Sequence, residues 1–260
     1  MKPGNEEECF MNSSRILLEE VDSTNEELKR LADKGARQGT VVIARRQTAG
    51  KGRRGRSWYS DSLDSIYMSL LLRPAFAPDK ASMVTLVAAL AVSQSIEKEC
   101  GLPVGIKWPN DILVQEKKVC GILTEMYMKE EGIDFLIVGI GINVKLKELP
   151  QELTTMATSL EKEASRSIDR EGLIEALLNE FEANYQKFLA CQDLSLLQSE
   201  YNERLISRGR QVQVMGTSQQ LSGEAVGINR TGELLVKAAD GQLERVYAGE
   251  VSVRGIYGYV

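Results

Sequence analysis

The chain has 260 residues, enough for one large domain or for one domain with a small addition. Hydrophobic residues make up 43% and charged residues 27%, as in ordinary globular proteins, which excludes a disordered, collagen-like or coiled-coil chain. The net charge of -5 at pH 7 argues against non-specific nucleic-acid binding as the main function. Histidine is absent, which excludes a Ser-His-Asp triad, a Cys-His pair and most zinc sites.

The cysteines and the apolar segments indicate a cellular compartment. The four cysteines are far apart and form no C-x-x-C pair, so a reducing cytoplasm is expected. The first ten residues contain three glutamates and no apolar run, which excludes a secretory signal of the usual kind. The densest apolar stretch, residues 84–92, has about half the roughly 20 residues that a membrane span needs. We therefore expect a cytoplasmic protein that does not contact a membrane.

The periodicity of apolar residues predicts alternating strands and helices after a flexible polar tail at residues 1–14. Short strands are predicted over 15–21, 40–46, 66–73, 104–108, 112–114, 119–127 and 135–144. Helices are predicted over 25–34, 79–98, 169–190 and 194–206. Consecutive short strands with tight turns favour a mixed or antiparallel sheet, with 66–73 central in it and 79–98 packed across it. The first helix would be capped by the side chain of Asp22, Ser23 or Thr24.

The character of the sequence changes near residue 210. From there on, glycines punctuate five short alternating strands, which is typical of a small barrel of about 50 residues. We therefore predict a main domain over residues 15–207 and a C-terminal barrel over residues 208–260.

A basic, glycine-rich segment is the most distinctive feature of the sequence. Six of the 32 basic residues lie between Arg45 and Arg56, and no acidic residue occurs from Thr40 to Ser60. The interleaved glycines would let backbone N–H groups approach an anion closely while arginine side chains bind phosphate oxygens. There is no Walker motif, and the G-x-G-x-x-G match has arginines where a Rossmann turn needs small residues. The segment predicts an anion-binding loop, with a solvated basic loop as the alternative.

A polar corner, K-W-P-N-D at residues 107–111, lies between two apolar strands. Pro109 favours extended backbone at Trp108 and stiffens the turn, so the polar side chains would project in fixed directions. Lys118 stands eight residues after Asn110, where a hairpin would return it to the same end of the sheet. An ordinary Asn-Asp turn and a solvated hairpin lysine are the alternatives.

Two alternating glycines, Gly139 and Gly141, interrupt an apolar strand. Glycine weakens a strand interior, so the pair indicates that something flat lies against the backbone, unless it marks a bulge or a crossing helix. Asn143, at the end of this strand, would hydrogen-bond a heterocycle or cap the turn.

In their order and spacing, these motifs resemble the motif set of the biotin protein ligases over residues 15–255. The segments that carry the resemblance are D-S-T-N at 22–25, Q-T-A-G-K-G-R-R-G-R-S-W at 47–58, K-W-P-N-D at 107–111, K-V-C-G-I-L at 118–123 and G-I-G-I-N at 139–143. The resemblance implies an α+β fold, with a mixed sheet and helices akin to class II aminoacyl-tRNA synthetases and a small C-terminal SH3-like β-barrel. It also implies that ATP activates biotin as biotinyl-5'-adenylate and that a lysine of the biotin carboxyl carrier protein of acetyl-CoA carboxylase takes the acyl group.

The resemblance also implies the roles of individual residues. The catalytic residues would be Lys118, Arg53 and Asp111. Biotin would contact Ser23, Thr24, Asn25, Gln47, Gly50, Lys51, Gly52, Arg53, Trp58, Lys118, Gly121, Gly139 and Gly141. The nucleotide would contact Arg54, Arg56, Trp58, Asn110, Lys118, Asn143 and Arg254. Mg²⁺ is implied near Asn110 and Asp111.

The implied chemistry suits a chain without histidine, because adenylation needs charge neutralisation at the phosphates more than an imidazole base. Many relatives have arginine where this chain has Lys51, and lysine keeps the charge but loses the bidentate fork. Retention of the adenylate would therefore be weaker. The glycine-rich loop would act as a lid that biotin orders and that shields the adenylate from water.

Some members of the resembled family carry an N-terminal helix-turn-helix domain of about sixty residues, and the few residues before Arg15 could not hold its recognition helix. We therefore expect a monofunctional ligase that does not bind DNA. Sheet-to-sheet dimers occur in the family, so a homodimer is also an expectation.

Two other functions compete with this interpretation. A lipoate protein ligase would share the fold and the acyl-adenylate chemistry, although the glycine-rich loop favours biotin. A nucleic-acid-binding module would use the basic loop and the barrel, and its affinity would fall steeply with salt. The acidic remainder of the chain and the presence of Trp58 as the one aromatic residue in the basic loop argue against it.

Overall fold

The structure is a computed structural model that describes residues 14–60, 62–146, 154–216, 221–248 and 252–255. The strands of the main sheet are β1 (Ser14–Val21), β2 (Thr40–Gln47), β3 (Ile66–Leu72), β4 (Gly105–Lys107), β5 (Asp111–Val114), β6 (Lys117–Lys129) and β7 (Gly132–Ile142). The helices are α1 (Thr24–Asp33), α2 (Ala81–Cys100), α3 (Leu160–Ala164), α4 (Arg170–Cys191) and α5 (Gln198–Arg204). The C-terminal strands are β8 (Gln211–Met215), β9 (Leu221–Ile228), β10 (Leu234–Lys237), β11 (Leu243–Val246) and β12 (Ser252–Gly255).

The first seven strands form one mixed sheet in the order β1-β2-β3-β7-β6-β5-β4. Strands β1 and β2 are parallel, as expected for strands joined through a helix, and every other neighbouring pair is antiparallel. Strand β3 is central and buried at every position. The mixed sheet and its central apolar strand confirm the prediction from the sequence.

Helices cover both faces of this sheet. On β2, Val41 and Ile43 join the large core that includes α2 and α4, whereas Val42 joins a smaller core beneath α1. This alternation follows from the period of two in a β-strand. The sheet is therefore the middle of three layers, with α1 on one face and α2 and α4 on the other.

Three predicted helical features differ in the structure. The helix expected over 194–206 begins only at Gln198, because residues 194–197 form a turn in which Leu197 N donates to the carbonyl of Leu194 at 2.9 Å. Helix α2 ends at Cys100, where Gly101 adopts a left-handed φ of 68°. Ser23 occupies the N-cap position of α1, but its side chain makes no capping hydrogen bond, so the predicted side-chain cap is wrong.

The last five strands form an antiparallel sheet in the order β11-β10-β9-β8-β12, which confirms the five predicted strands. This sheet shares the large core of the main domain through residues such as Val212 and Leu234. One hydrogen bond ties the turn between β9 and β10 to the K-W-P-N-D corner: Trp108 Nε1 donates to the carbonyl of Gly232 at 3.0 Å. Ile206, in the segment between α5 and β8, donates its backbone N–H to the carbonyl of Ile106 on β4 at 3.1 Å. In the described part of the chain, no helix is long and apolar enough to cross a membrane.

We predict that Trp108→Phe lowers the free energy of unfolding by about 1–2 kcal/mol, because the buried carbonyl of Gly232 loses its indole donor. Urea denaturation at neutral pH measures the change. Leu196→Ala, at a side chain that is 58% exposed, is the control and should change stability by less than about 0.5 kcal/mol. Equal stability of wild type and Trp108→Phe would contradict the importance of this contact.

Candidate active site

The sheet face beneath α1 carries apolar side chains at one end of its strands and lacks side chains further along, which leaves a hollow. At one end Leu71 and Ile137 pack against α1 in the smaller core. Further along the same face lie Gly139 and Gly141 of β7, and Gly121 of β6 pairs with Gly141. Since none of these glycines has a side chain, the backbone of two strands is open to a large group at this point.

The indole of Trp58 lies in this hollow. A Cβ atom placed on Gly121 or Gly141 would lie only 2.7 Å from the indole, closer than real Cβ contacts allow. The flat group expected against the glycine strand is thus, for Gly141, a tryptophan side chain of the same protein. The ammonium of Lys118 lies 5.1 Å from the centre of the indole, within the range of a cation–π contact.

Gly139 accommodates a different side chain. A Cβ there would lie 2.2 Å from Oδ1 of Asn25, so the glycine lets the Asn25 amide lie on the strand backbone. Asn25 stands in the first turn of α1 and is 4% exposed. Gly139 therefore positions a polar group at one end of the hollow, whereas Gly121 and Gly141 hold the indole.

The turn from Asp22 to Asn25 and the end of β2 form the polar end. Both the backbone N–H of Thr24, at 2.9 Å, and its hydroxyl, at 3.1 Å, reach Oε1 of Gln47. Nε2 of Gln47 donates to Ser60 Oγ at 3.1 Å. Of the side chains that were expected to cap α1, Ser23 and Thr24 are instead buried beside the hollow, and Ser23 is only 2% exposed.

A bidentate ion pair braces this turn from outside. The guanidinium of Arg30 donates to both carboxylate oxygens of Asp22, at 2.8 and 2.9 Å. Arg30 lowers the pKa of Asp22 from 3.8 to about 2. The carbonyl of Asp22 accepts from Ala49 N at 2.8 Å, so the pair also supports the start of the glycine-rich loop.

The opposite end of the hollow is charged. Lys118 Nζ lies 2.7 Å from Oδ1 of Asp111, and both side chains are mostly buried. Strand β5 pairs with the start of β6, so the hairpin predicted to return Lys118 to the K-W-P-N-D corner is present. Arg53 donates to Oδ1 of Asn110 at 2.7 Å, and burial lowers the pKa of Arg53 while the charge of Asp111 opposes that shift.

The glycine-rich loop crosses the hollow and contacts its surroundings at several points. Gly50 O accepts from Trp58 N at 2.9 Å, which closes the loop at its base. Lys51 forms an ion pair with Glu26 in the first turn of α1, and this hydrogen bond raises the pKa of Lys51. Arg54 takes a left-handed φ of 61° within a short helical turn.

Two adjoining cavities contain most of the predicted site. The first holds every predicted biotin contact except Gly50, and it is lined by Ser23, Thr24, Asn25, Gln47, Lys51, Gly52, Arg53, Trp58, Asn110, Lys118, Gly121, Ile122, Leu123, Gly139, Ile140 and Gly141. The second is lined by Gly52, Arg53, Arg54, Arg56, Ser57, Trp58, Lys107, Trp108, Pro109, Asn110, Asp111, Lys118 and Val253. Gly52, Arg53, Trp58, Asn110 and Lys118 line both.

Two predicted contacts, Gly50 and Asn143, lie elsewhere. Gly50 lines a wider outer cavity beneath the loop, and a Cβ there would meet Ser60 Oγ at 2.5 Å. Asn143 lines neither of the two adjoining cavities; its side chain donates at 3.1 Å to the carbonyl of Thr158, 15 residues further along the chain, so this contact is not a cap of its own turn. The side chain of Arg254 lies outside the described residues.

The sequence interpretation missed three polar residues at the site. Ser69 is fully buried on β3, Ser60 contacts Gln47, and Glu125 on β6 accepts from Asn25 at 2.6 Å. Ser69 could have been recognised as the one polar residue in the apolar strand I-Y-M-S-L-L-L, other than the Tyr67 hydroxyl. Glu125 and Ser60 depend on tertiary contacts that no local pattern contains.

The donors at the charged end fit a divalent cation that arrives with a nucleotide. Asp111 offers a carboxylate and Asn110 an amide oxygen at the second cavity, and Mg²⁺ commonly binds one or two carboxylates together with substrate phosphates. In the described part of the chain, no group of three or more His, Cys, Asp or Glu residues could hold a metal alone.

Comparison with known proteins identifies the class of this fold and site. A model of the biotin/lipoate A/B protein ligase family matches residues 17–143, and a model of the biotin protein ligase C terminal domain matches residues 208–254. The molecule is thus of the biotin and lipoate ligase class.

Individual relatives narrow the assignment. The chain is 38% identical over 247 residues to the bifunctional ligase/repressor BirA of Bacillus subtilis, covering 94% of this chain and 75% of the relative. It is 33% identical over 241 residues to the biotin--[acetyl-CoA-carboxylase] ligase of Mycobacterium tuberculosis, covering 90% and 87%. A biotin protein ligase from Aquifex aeolicus, solved in complex with biotin and ATP, superposes with a TM-score of 0.82 at 34% identity over 94% of this chain and 99% of that one. The chain belongs to the biotin protein ligase family, which confirms the resemblance.

We predict that Asp22→Asn has a lower free energy of unfolding than wild type and that the difference depends on pH. The folded pKa of Asp22 is about 2, below its ordinary 3.8, so the ionised pair stabilises the fold above about pH 4 and the effect disappears as the pH falls toward 2. Both side chains are 45% exposed, so the contribution at pH 7 should stay below about 1 kcal/mol. Urea unfolding of both proteins across this range measures it, and a difference independent of pH would contradict the ion pair.

We predict that Gly141→Ala displaces the indole of Trp58, because the new methyl group would lie 2.7 Å from it. In a Trp108→Phe background Trp58 is the only tryptophan, since the chain has two. Its fluorescence should shift to longer wavelength as the ring becomes hydrated. The Trp108→Phe protein without the second change is the reference, and identical spectra would show that the ring does not lie on Gly141.

Proposed function

We propose that this chain activates biotin with ATP and transfers the biotinyl group to a lysine of a biotin carboxyl carrier protein. The observation that supports this most directly is the first cavity, which has hydrogen-bonding groups at one end and the Lys118–Asp111 pair at the other, with an indole between them. Such a cavity suits a ligand with a polar head, an apolar middle and a carboxylate tail. Biotin has this pattern.

The polar head would bind beside α1. Ser23, Thr24 and Asn25 offer buried donors and acceptors to the ureido group, and Gln47 adds a half-buried amide. Desolvated hydrogen bonds discriminate strongly between ligands. Gly121 and Gly141, with the indole against them, would provide the wall along the rings and the acyl chain. The carboxylate would then lie near the ammonium of Lys118.

The nucleotide would bind in the second cavity. Arg54 and Arg56 line it and carry charges suited to phosphate oxygens. Roles for Asn143 and Arg254 at the nucleotide stay predictions. Asp111 and Asn110 would hold Mg²⁺ together with the phosphates, and the ion would neutralise charge on them.

In the first step, a carboxylate oxygen of biotin attacks the α-phosphorus of ATP, and the bond to pyrophosphate breaks. Lys118 and Arg53 would stabilise the negative charge that gathers on the α-phosphate oxygens, because fixed cations in a water-poor site cost no reorganisation. In the second step, the amine of the carrier lysine attacks the acyl carbon, AMP leaves, and the amine loses a proton. The carboxylate of Asp111 lies 2.7 Å from the ammonium of Lys118 and would hold the Lys118 side chain in place in both steps.

The glycine-rich loop would serve as a lid. It carries Trp58 into the hollow and joins α1 through Lys51 and Glu26, so its closure would exclude water from a mixed anhydride that water destroys. We also propose that the main domain resembles class II aminoacyl-tRNA synthetases and that the C-terminal sheet has an SH3-like form. The boundary between them would lie near Ser207. The absence of DNA binding, a cytoplasmic location and a homodimer remain expectations.

We predict that the purified chain releases pyrophosphate when given biotin, ATP and Mg²⁺ and then labels a carrier domain with biotin. Lys118→Ala should lower the rate of pyrophosphate release by about a hundred- to a thousandfold, as expected when a group that stabilises the transition state is lost. Lys117→Ala is the matched control, since Lys117 is the neighbouring lysine of β6 and lines none of the cavities in the described residues.

The same assay with lipoate in place of biotin tests the specificity. Pyrophosphate release that depends on lipoate alone would assign the chain to lipoate activation. No release with either acid would reject the proposed function, and a near-normal Lys118→Ala rate would reject the role of that lysine.

A further inference from the structure

Glu125 belongs to a chain of hydrogen bonds that ends at the polar part of the first cavity. Its Oε2 accepts from Asn25 Nδ2 at 2.6 Å. Oδ1 of the same amide lies 2.6 Å from Ser69 Oγ, and Ser69 Oγ lies 2.8 Å from Thr24 Oγ1. Glu125 does not line the first cavity, so it can act on a ligand there only through its neighbours.

The carboxylate at one end fixes the direction of every hydrogen bond in this chain. A carboxylate only accepts, so the Asn25 amide must turn its NH₂ group toward Glu125 and its oxygen toward Ser69. Ser69 has one hydroxyl hydrogen, which it then donates to Asn25. Ser69 then has no hydrogen left for Thr24, whose own hydroxyl hydrogen is within reach of Oε1 of Gln47 at 3.1 Å.

This order determines what Thr24 offers to a ligand. Since Ser69 gives its hydrogen to Asn25 and Thr24 gives its own to Oε1 of Gln47, Thr24 Oγ1 accepts no hydrogen bond in this order and can accept one from a donor in the cavity. If the Asn25 amide turned over, Ser69 would accept from Nδ2 and would be free to donate to Thr24, which would use one of the two lone pairs of that oxygen. The orientation of the amide thus decides whether Ser69 competes with a ligand donor for Thr24 Oγ1.

The surroundings hold the amide in place but do not choose its orientation. Gly139 lets the Asn25 side chain lie against β7, and Asn25 and Ser69 are both buried, so neither can turn to water. Oxygen and nitrogen of the amide occupy nearly the same volume, so packing alone cannot tell them apart. Lys51 is the cation nearest to this region, and it hydrogen-bonds to Glu26. The carboxylate of Glu125 is therefore the group that breaks the symmetry of the amide.

We propose that Glu125 is a positioning residue for substrate recognition, which orients Asn25 and so makes Thr24 an acceptor for an N–H group of the ligand. The inference rests on the proposed function and assigns the N–H side of a cyclic urea to Thr24. It explains why an acidic side chain stands behind a site whose ligand is itself an anion. It also makes Glu125 a determinant of specificity for a head group that donates hydrogen bonds.

The test measures pyrophosphate release for wild type, Glu125→Ala, Glu125→Gln, Asn25→Ala and the double variant Asn25→Ala with Glu125→Ala. Glu125→Ala should raise the KM for biotin about ten- to a hundredfold, while kcat at saturating biotin and the KM for ATP stay near wild type. Glu125→Gln should recover much of this loss, since a glutamine can turn its oxygen toward Asn25. The double variant should be no worse than Asn25→Ala alone, because residues that act through one another are not additive.

Several outcomes would overturn the inference while the wild type still turns over biotin. They are an unchanged KM for biotin in Glu125→Ala, a parallel rise in the KM for ATP, additive losses in the double variant, or no recovery with glutamine. A fall in the urea midpoint of Glu125→Ala that accounts for its lost activity would also count against it. If the wild type releases no pyrophosphate with biotin, the proposed function itself has failed, and that result is separate from the behaviour of Glu125.

Discussion

The contact between the indole of Trp58 and the backbone of β6 and β7 is the constraint on which the site depends. An indole can approach two neighbouring strands this closely only where both lack side chains on that face, and Gly121 and Gly141 meet that condition in register. The loop that carries Trp58 is thereby seated on the sheet. The cavities on either side of the ring take their shape from this one placement.

The charges of the site follow the same arrangement. The basic loop looks like a single cationic surface in the sequence, yet in the fold its residues have different partners. Lys51 contacts α1 through Glu26, and Arg53 turns to Asn110 in the corner between β4 and β5. The loop is therefore attached to the elements on both sides of the hollow. Arg54 and Arg56 line the second cavity, where the proposed nucleotide phosphates would bind.

Much of this molecule could be predicted from its sequence because the deciding signals are local. Uniformly apolar residues made β3 central, and alternating glycines on β7 pointed to a flat group on its backbone. The hairpin that brings Lys118 to Asp111 followed from two strands and a short turn. The order and spacing of five motifs then indicated the family.

The remaining features depend on contacts between distant segments. Gly139 makes room for Asn25 whereas Gly141 makes room for Trp58, and no local pattern distinguishes these roles because both are glycines on one strand face. Glu125 lies a hundred residues from Asn25 in the sequence. A role for this acidic residue in a predicted strand can be recognised only once α1 is packed against the sheet. The start of α5 was placed too early because residues 194–197 form a turn, and Leu194 in it donates its backbone N–H to the carbonyl of Arg230 between β9 and β10. Helical spacing alone could not show that contact.

The contact of Arg53 with the C-terminal sheet has a mechanical consequence. Nη2 of Arg53 lies 3.4 Å from the carbonyl of Ala248, while Nη1 holds Asn110 in the main domain. One guanidinium thus spans the seam between the two halves of the chain. A hinge motion that moved the C-terminal sheet away from the main domain by even an ångström would weaken the hydrogen bonds of Arg53. A partner that binds the C-terminal sheet would therefore affect the candidate active site through this arginine.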